Sequence, residues 1–464
     1  MTDYIEILSE FTNGLKFESL PLKVVEQTKL YIADFYAASF AGYQINHQFN
    51  KAIISVFREL GGEEHSTVLF EDRKYSVQDA AFINAVYAHG ADMDDGNKIS
   101  AGHIGTHVIP AVFALAEWIH TRWENVIVAI NVGYEYFNRI AGAAQPALYK
   151  KGFHSTGVAG AIACAAACAK LLCLTQEQIY DAVSIAAVQS SGLIIIDESG
   201  QGCKPINPGN AAKIGVFSAL LALKGIDSPR NTLQSKKGWF NAYSKDCNIE
   251  MKFDDLGRVF TITESYLKLY PSCRHTHSCI DAILDLRSEI QIRSPLWINN
   301  VDLITIYIYP SAIKSAGIIN RPKNANEAKF SIAYCVAVAA QTGKFGLGDL
   351  NVANADMMIF SLAQKVKLIT DEKMENRSRG IRGCRIVVSL NDGQIFEKVV
   401  QRPKGEGLLA LSWDELNVKM NACTDGLLDL QQSNNIIMKC KDINSDQTFE
   451  SYFEGLKKNK ISKI

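Results

Sequence analysis

No charge imbalance marks this chain: 48 lysines and arginines stand against 49 aspartates and glutamates, for a net charge of −1. Its longest basic stretch is the tail Leu456-Lys457-Lys458-Asn459-Lys460, so nothing points to a nucleic-acid partner. An even total still permits a basic pocket, because a few local cations suffice to bind a small acid. Long apolar runs are missing too. The longest run of small apolar residues, Gly157 to Ala169, stops short of the ~20 that a membrane span requires and reads as a buried helix. The first twenty residues lack the cationic start and apolar centre of a secretory signal. The 11 cysteines are scattered, with no C-x-x-C pair, which excludes a disulfide framework and fits reduced thiols in a cytoplasm. Cys164 and Cys168 lie four apart but lack neighbouring ligands for a metal. Solenoid repeats, long linkers and low-complexity segments are absent.

What is present is a succession of helical patterns. Apolar residues recur at helical spacing over 21–40, 49–60, 108–120, 123–144, 156–172, 175–190 and 208–225, and a further helix is expected over 229–240. Thr175-Gln176-Glu177-Gln178 is a capping box, and Ser66 to Phe70 with Tyr75 suggests a small hairpin. From about Tyr270 the character changes. Val301 to Tyr309 alternates and is β-branched, while Cys384 to Leu390 and Gln394 to Val400 flank Asn391-Asp392-Gly393, a hairpin signal. Helices are expected between them over 327–342 and 357–368, and after Pro403 over 413–421 and 427–434, with Ser412 as a cap. The fold class is therefore mostly α: a large all-helical domain with an inserted, smaller α+β domain. The expected division is 1–268 with 404–464 for the helical domain and 269–403 for the α+β domain.

The chemistry concentrates between Asn84 and Pro110, which hold Asp92, Asp94, Asp95, His89, His103 and His107, although histidine occurs only nine times in the chain. This cluster falls where a helix begun by Ser76-Val77-Gln78-Asp79 runs out near Gly90. Asp92-Met93-Asp94-Asp95 also admits a Mg²⁺-chelating reading like that of all-helical isoprenoid synthases, for which Phe253-Asp254-Asp255 is the only second cluster on offer. Three further constellations carry ionisable groups before helices: Lys151-Gly152-Phe153-His154-Ser155-Thr156-Gly157, then Gln201 to Lys213 with Lys204, then Tyr270-Pro271-Ser272-Cys273-Arg274-His275-Thr276-His277. A helix start at His154 offers N–H groups and a positive dipole end to a carboxylate, with Ser155 or Thr156 as the cap. Capping, solvated lysine and structural histidine explain each stretch singly. Together they imply an acid/base site with cations for an anionic substrate.

At these residues the chain resembles the MmgE/PrpD family, which contains 2-methylcitrate dehydratase, cis-aconitate decarboxylase and iminodisuccinate epimerase. The likeness runs over nearly the whole chain in the same order: Ala88-His89-Gly90-Ala91-Asp92-Met93-Asp94-Asp95, His103 seven residues before Pro110, Gly152-Phe153-His154, Lys204 six residues before Asn210, Tyr270-Pro271 followed by Thr276-His277, and Asn320-Arg321-Pro322. The resemblance implies a helical domain carrying a lid, a homodimer, and catalysis without metal or organic cofactor. By position it assigns Asp92, His103, His154, Lys204 and His277 to the active site. Lys204, Arg274, Ser155, Thr156 and Asn97 are the expected substrate contacts, and the substrate is a small di- or tricarboxylate. The expected reaction is proton abstraction beside a carboxylate, foremost that of a 2-methylcitrate dehydratase-like hydro-lyase. Epimerisation of an iminodisuccinate-type acid and cis-aconitate decarboxylation are the alternatives within the family, and a non-catalytic family member is a third. Gly96-Asn97 stand where dehydratases and decarboxylases carry threonine, and Ile318-Ile319 supply no hydroxyl before Asn320, which sets decarboxylation lowest.

Overall fold

The computed structural model describes residues 3–195, 202–244, 249–251, 253–376 and 381–449. Gln201, the basic tail at 456–460 and the end of the expected helical domain, 450–464, lie outside them.

Among the described residues, nine longer helices come first: α1 (Tyr4–Gly14), α2 (Leu22–Ile45), α3 (His47–Leu60), α4 (Val77–His89), α5 (Gly105–Trp118), α6 (Trp123–Ala144), α7 (Ser155–Leu171), α8 (Gln176–Gln189) and α9 (Ile206–Leu223). A two-residue hairpin, β1 (Ser66–Thr67) with β2 (Lys74–Tyr75), interrupts them as expected. Helix α7 is the hub, packed against α5, α6, α8 and α9. Its small residues permit that crowding: a Cβ on Gly215 of α9 would fall 2.2 Å from the Cβ of Cys164. Close backbone approach of this kind adds dispersion contacts that larger side chains would forbid.

The second part follows with α10 (Arg274–Arg293), β3 (Val301–Ile308), α11 (Pro310–Ala316), α12 (Ala325–Lys329), α13 (Ile332–Thr342), α14 (Met357–Gln364), β4 (Val366–Thr370), β5 (Glu375–Asn376), β6 (Ile381–Arg382), β7 (Cys384–Leu390) and β8 (Ile395–Val400). Its main sheet runs β4-β3-β7-β8, with β3 parallel to β4 and antiparallel to β7. Val301, Ile304, Ile306 and Ile308 form the buried face of β3. The β7–β8 hairpin turns at Asn391-Asp392-Gly393, where Gly393 adopts φ +88°. Two helices close the described chain, α15 (Trp413–Thr424) and α16 (Leu430–Lys441), and Ser412 caps the first as expected. Leu416 and Met420 of α15 join the helical hydrophobic cluster, whereas a separate cluster holds Cys279 to Phe396. The protein is mostly helical, with a smaller α+β part.

Four local expectations need correction. Residues 229–238 form turns, not helix: Asn231 takes φ +56°, and a Cβ on Gly238 would meet the Thr232 carbonyl at 2.6 Å, so only Trp239–Ser244 is helical. The helix expected over 327–342 breaks at Phe330, and the Ser331 side chain caps α13 by accepting from Tyr334 N. The one expected over 357–368 ends at Gln364, because Val366–Thr370 finds a parallel partner in β3; sheet pairing overrides helical spacing. At the start of α7 neither hydroxyl caps. Ser155 Oγ donates to the Ala101 carbonyl and Thr156 Oγ1 accepts from His103 N.

Candidate active site

Helix α4 stops at His89, and the chain then loops to Ile104 with Asp92 in the left-handed region at φ +55°. Asparagine and aspartate tolerate that conformation better than most residues. Several elements fix this loop. Gly96 and Tyr266 exchange backbone hydrogen bonds of 3.0 and 2.7 Å, and Lys419 from α15 donates to the Met93 carbonyl at 2.8 Å and to Asp34 at 2.5 Å. The adjoining segment thereby aims Lys268 at Asp92.

Asp92 is the electrostatic centre. Lys204 Nζ donates to its Oδ1 at 2.7 Å, while Lys268 Nζ lies 3.1 Å from Oδ2 and donates to the Asp92 carbonyl at 2.7 Å. Burial pushes the carboxyl up, but the two ammonium groups outweigh it and hold Asp92 well below the usual carboxylate range. Asp95, three residues on, goes the other way. Burial and then Asp94 push it up to about 8, against hydrogen bonds from Tyr134 Oη and Gly105 N, each 2.8 Å. Gly105 is required here, since a Cβ would approach Asp95 Oδ1 and the Tyr134 hydroxyl to 3.0 Å.

Hydrogen bonding fixes the tautomers of the two site histidines. His103 Nδ1 lies 2.7 Å from the Asp95 carbonyl, which accepts only, so Nδ1 carries the hydrogen and Nε2 keeps its lone pair. Nε2 stands 3.9 Å from Asp92 Oδ1, too far for a hydrogen bond. Asn207 Nδ2 donates to the Leu193 carbonyl and to His154 Nδ1, both at 3.0 Å, so His154 carries its hydrogen on Nε2. Burial first, then neighbouring lysines, keep both imidazoles well below their usual pKa and hence neutral. His107 is different: it turns into the helical core, its ring 5.2 Å from Phe137, and burial lowers it to about 3.

Asp92, its two lysines, His103 and His154 share one cavity of about 150 Å³ between the helical part and the α+β part. Asp92, His103, His154, Ser155, Lys204, Asn97 and Arg274 all line it, as do Lys268, His275 and Arg382. Among the described residues, four permanent cations (Lys204, Lys268, Arg274, Arg382) thus line the cavity against a single carboxylate, Asp92. Asn97 reaches the wall, but its Oδ1 accepts from Ile99 N and Ser100 N and its amide points to Glu264 and Ser265, so it organises the loop. Thr156 is not in the lining; it supports His103 from behind. His277 is also withdrawn. Its Nδ1 faces Arg274 Nη1 at 3.2 Å and its Nε2 faces the Ser272 carbonyl at 3.3 Å, which leaves His275, bonded to Tyr309 Oη at 2.7 Å, on the wall instead.

Lys268, Tyr266 and Arg382 were not anticipated from sequence. Lys268 stands between Leu267 and Leu269 directly before Tyr270-Pro271, and a lone cation in that apolar stretch was the available signal. Arg382 offered none. The possible second acidic cluster fails: Asp255 pairs with Arg139 at 2.8 Å, and neither it nor Asp254 lines the cavity, which removes the basis of the isoprenoid-synthase reading. Ligand atoms of His89, Asp92, Asp94 and His103 do lie within 4.8 Å of one another. Lys204 and Lys268 already neutralise Asp92, however, and His89 Nδ1 is bound to Asp94 Oδ2 at 2.7 Å, while His89 Nε2 and Asp94 Oδ1 have no hydrogen-bond partner among the described residues.

A helical body bearing a smaller α+β part, with histidines and cations collected where they meet, defines the architectural class. The chain belongs to the MmgE/PrpD family, matching its N-terminal domain over residues 6–252 and its C-terminal domain over residues 270–443. Among curated relatives it is 26% identical over 447 residues to the cis-aconitate decarboxylase-like protein oryM of Aspergillus oryzae, covering 92% of this chain and 91% of that protein. The cis-aconitate decarboxylase of Aspergillus terreus is 27% identical over 425 residues (86% and 84% covered), and that of Homo sapiens 26% over 453 (93% and 90%). No helix among the described residues is long and apolar enough to cross a membrane.

Proposed function

We propose that this protein is an enzyme that moves a proton at a carbon next to a carboxylate of a small di- or tricarboxylate, with hydro-lyase chemistry of the 2-methylcitrate dehydratase type. The four-to-one excess of cations over carboxylates among the described residues of the cavity wall carries this reading. A carbon acid beside a carboxylate is weak, and preorganised positive charge in a water-poor site is the strongest available means of stabilising the dianionic intermediate.

In this reading His103 Nε2, neutral and unprotonated, takes the proton. Lys204 and Lys268, held by Asp92, stabilise the enolate-like charge. His154 donates a hydrogen bond from Nε2–H to the departing hydroxyl, and the proton that His103 has taken passes to that oxygen as the C–O bond breaks, the C=C bond forms and water leaves, so both imidazoles end neutral. Asp92 therefore acts by fixing two lysines more than by touching His103. His277 and Thr156 act as positioning residues behind Arg274 and His103. The chemistry uses side chains alone, without metal or organic cofactor. A second reading, decarboxylation followed by protonation of the same kind of carbanion, is favoured by the names of the curated relatives.

The proposal includes a helical domain of residues 1–268 and 404–464 under an α+β lid of 269–403, supported by the packing of α15 on α2. It also includes a cytoplasmic homodimer, checked by light scattering after gel filtration. Proton NMR in D₂O with 2-methylcitrate, citrate, cis-aconitate and iminodisuccinate decides the reaction. Alkene formation from a hydroxy acid supports the hydro-lyase, loss of CO₂ supports the second reading, and deuterium uptake with inversion alone would make the protein an epimerase. No change in any of the four acids would reject this substrate class.

A further inference from the structure

We infer that Arg274, Arg382 and Ser311 form a second carboxylate subsite, which selects acids carrying an additional carboxylate away from the reacting carbon. This rests on the function proposed above and adds a specificity determinant to it.

All three side chains line the same cavity, and each leaves one buried polar atom without a hydrogen-bond partner among the described residues: Arg274 Nε, Arg382 Nε and Ser311 Oγ. Buried donors are nearly always satisfied, and an unmet one is costly. Three such side chains around one cavity point to an acceptor that arrives from outside the chain. The rest of the Arg274 guanidinium is tied down. Arg274 donates to the carbonyls of Lys404 at 3.0 Å and Pro403 at 3.4 Å, meets Glu406 at 3.4 Å and lies over the Tyr266 ring at 4.3 Å. Arg382 lies over Tyr309 at 5.8 Å, and its unmet Nε stands 3.9 Å from Glu375 Oε1, beyond hydrogen-bond reach. Glu406 must also serve Lys98, at 2.5 Å. The carboxylates therefore stand farther from these arginines, at 3.4 and 3.9 Å, than Asp92 stands from Lys204 and Lys268, at 2.7 and 3.1 Å.

The location separates the two roles. Lys204 and Lys268 gather on Asp92 beside His103, whereas Arg274 and Arg382 both act on Tyr266, and Ser311 comes from the start of α11. Two guanidinium groups and a hydroxyl, all donors, match the oxygens of one carboxylate.

Isothermal titration of the full-length protein with propane-1,2,3-tricarboxylate, glutarate and glutaramate tests the assignment. Glutaramate replaces one carboxylate of glutarate by a neutral amide of the same shape. Wild type is expected to prefer glutarate over glutaramate by about 10-fold or more, a charge-assisted contact's worth of affinity. Arg382→Gln should weaken the two polyacids about 10- to 100-fold and erase that preference. Ser311→Ala should weaken them about 3- to 10-fold, and Arg382→Lys should fall between wild type and Arg382→Gln. Should Arg382→Gln not fold by circular dichroism, the other two variants decide. Equal weakening of all three ligands, or no change from wild type, overturns the subsite. Wild type that binds none of the three overturns the proposed substrate class itself.

Discussion

On the helical wall of the cavity, a carboxylate sits between two lysines and every charge has an immediate counter-charge; on the α+β wall, two arginines and a serine keep donor atoms in reserve. The first arrangement has its field built in, with Asp92 holding Lys204 and Lys268 in place before any ligand arrives. The second is completed by what enters. A built-in field suits a reaction in which charge develops on one atom, and unmet donors suit recognition of a group that is already charged. Two residues of the same loop repeat the lesson. Asp92 and Asp95 are equally buried, yet neighbouring lysines hold one low while burial and a neighbouring carboxylate raise the other to about 8.

The most severe break on the helical wall is His103→Ala, which removes the only lone pair this reading uses as a base. Turnover should fall by ~10² or more, with substrate affinity little changed; steady-state kinetics on whichever acid the NMR screen identifies gives the answer, and near-normal turnover would sink the assignment. Lys268→Met comes next. It leaves Asp92 with one cation in a buried setting and should cost about 3 kcal/mol of stability, read by urea denaturation, together with activity. An unaltered urea midpoint would mean that Lys204 alone neutralises Asp92.

Asp95 sharpens the contrast through pH. Its carboxyl ionises near 3.8 in the unfolded chain and near 8 in the fold, so between those values the native state holds the extra proton and stability declines as pH rises. Urea midpoints should therefore drop from pH 5 to pH 8, and Asp95→Asn should flatten the slope. The same slope in the variant would assign it to another group. His277→Gln should have the smallest effect, raising KM a few-fold through Arg274 while sparing kcat, because its two ring contacts are modest hydrogen bonds. A large fall in kcat with KM unchanged would return His277 to the chemistry.

Much of this was legible in advance where the determinants are local. The bounds of α6 follow from its spacing, and the cap of α8 follows from Thr175 and Gln178. The hairpin at Asn391-Asp392-Gly393 and the cluster at Asp92 and His103 were likewise marked within a few residues. Strand β4 was not, because its partner lies some sixty residues earlier and only pairing shows that it is a strand. Nor could spacing tell that His103 faces the cavity while His107 turns into the core, or that His275 rather than His277 lies on the wall.

The sequence by itself determined the class of the fold, the family and the side chains available for acid/base work, since helical period, turn residues and motif order are properties of neighbouring residues. Tertiary structure decided which of those side chains meet. Lys204 comes from 112 positions beyond Asp92, Lys268 from 176, and Arg382 from strand β6 of the α+β part. Protonation states, tautomers and the division between reaction and recognition depend on those encounters, because electrostatic and hydrogen-bond energies act across a few ångströms of space whatever the distance along the chain.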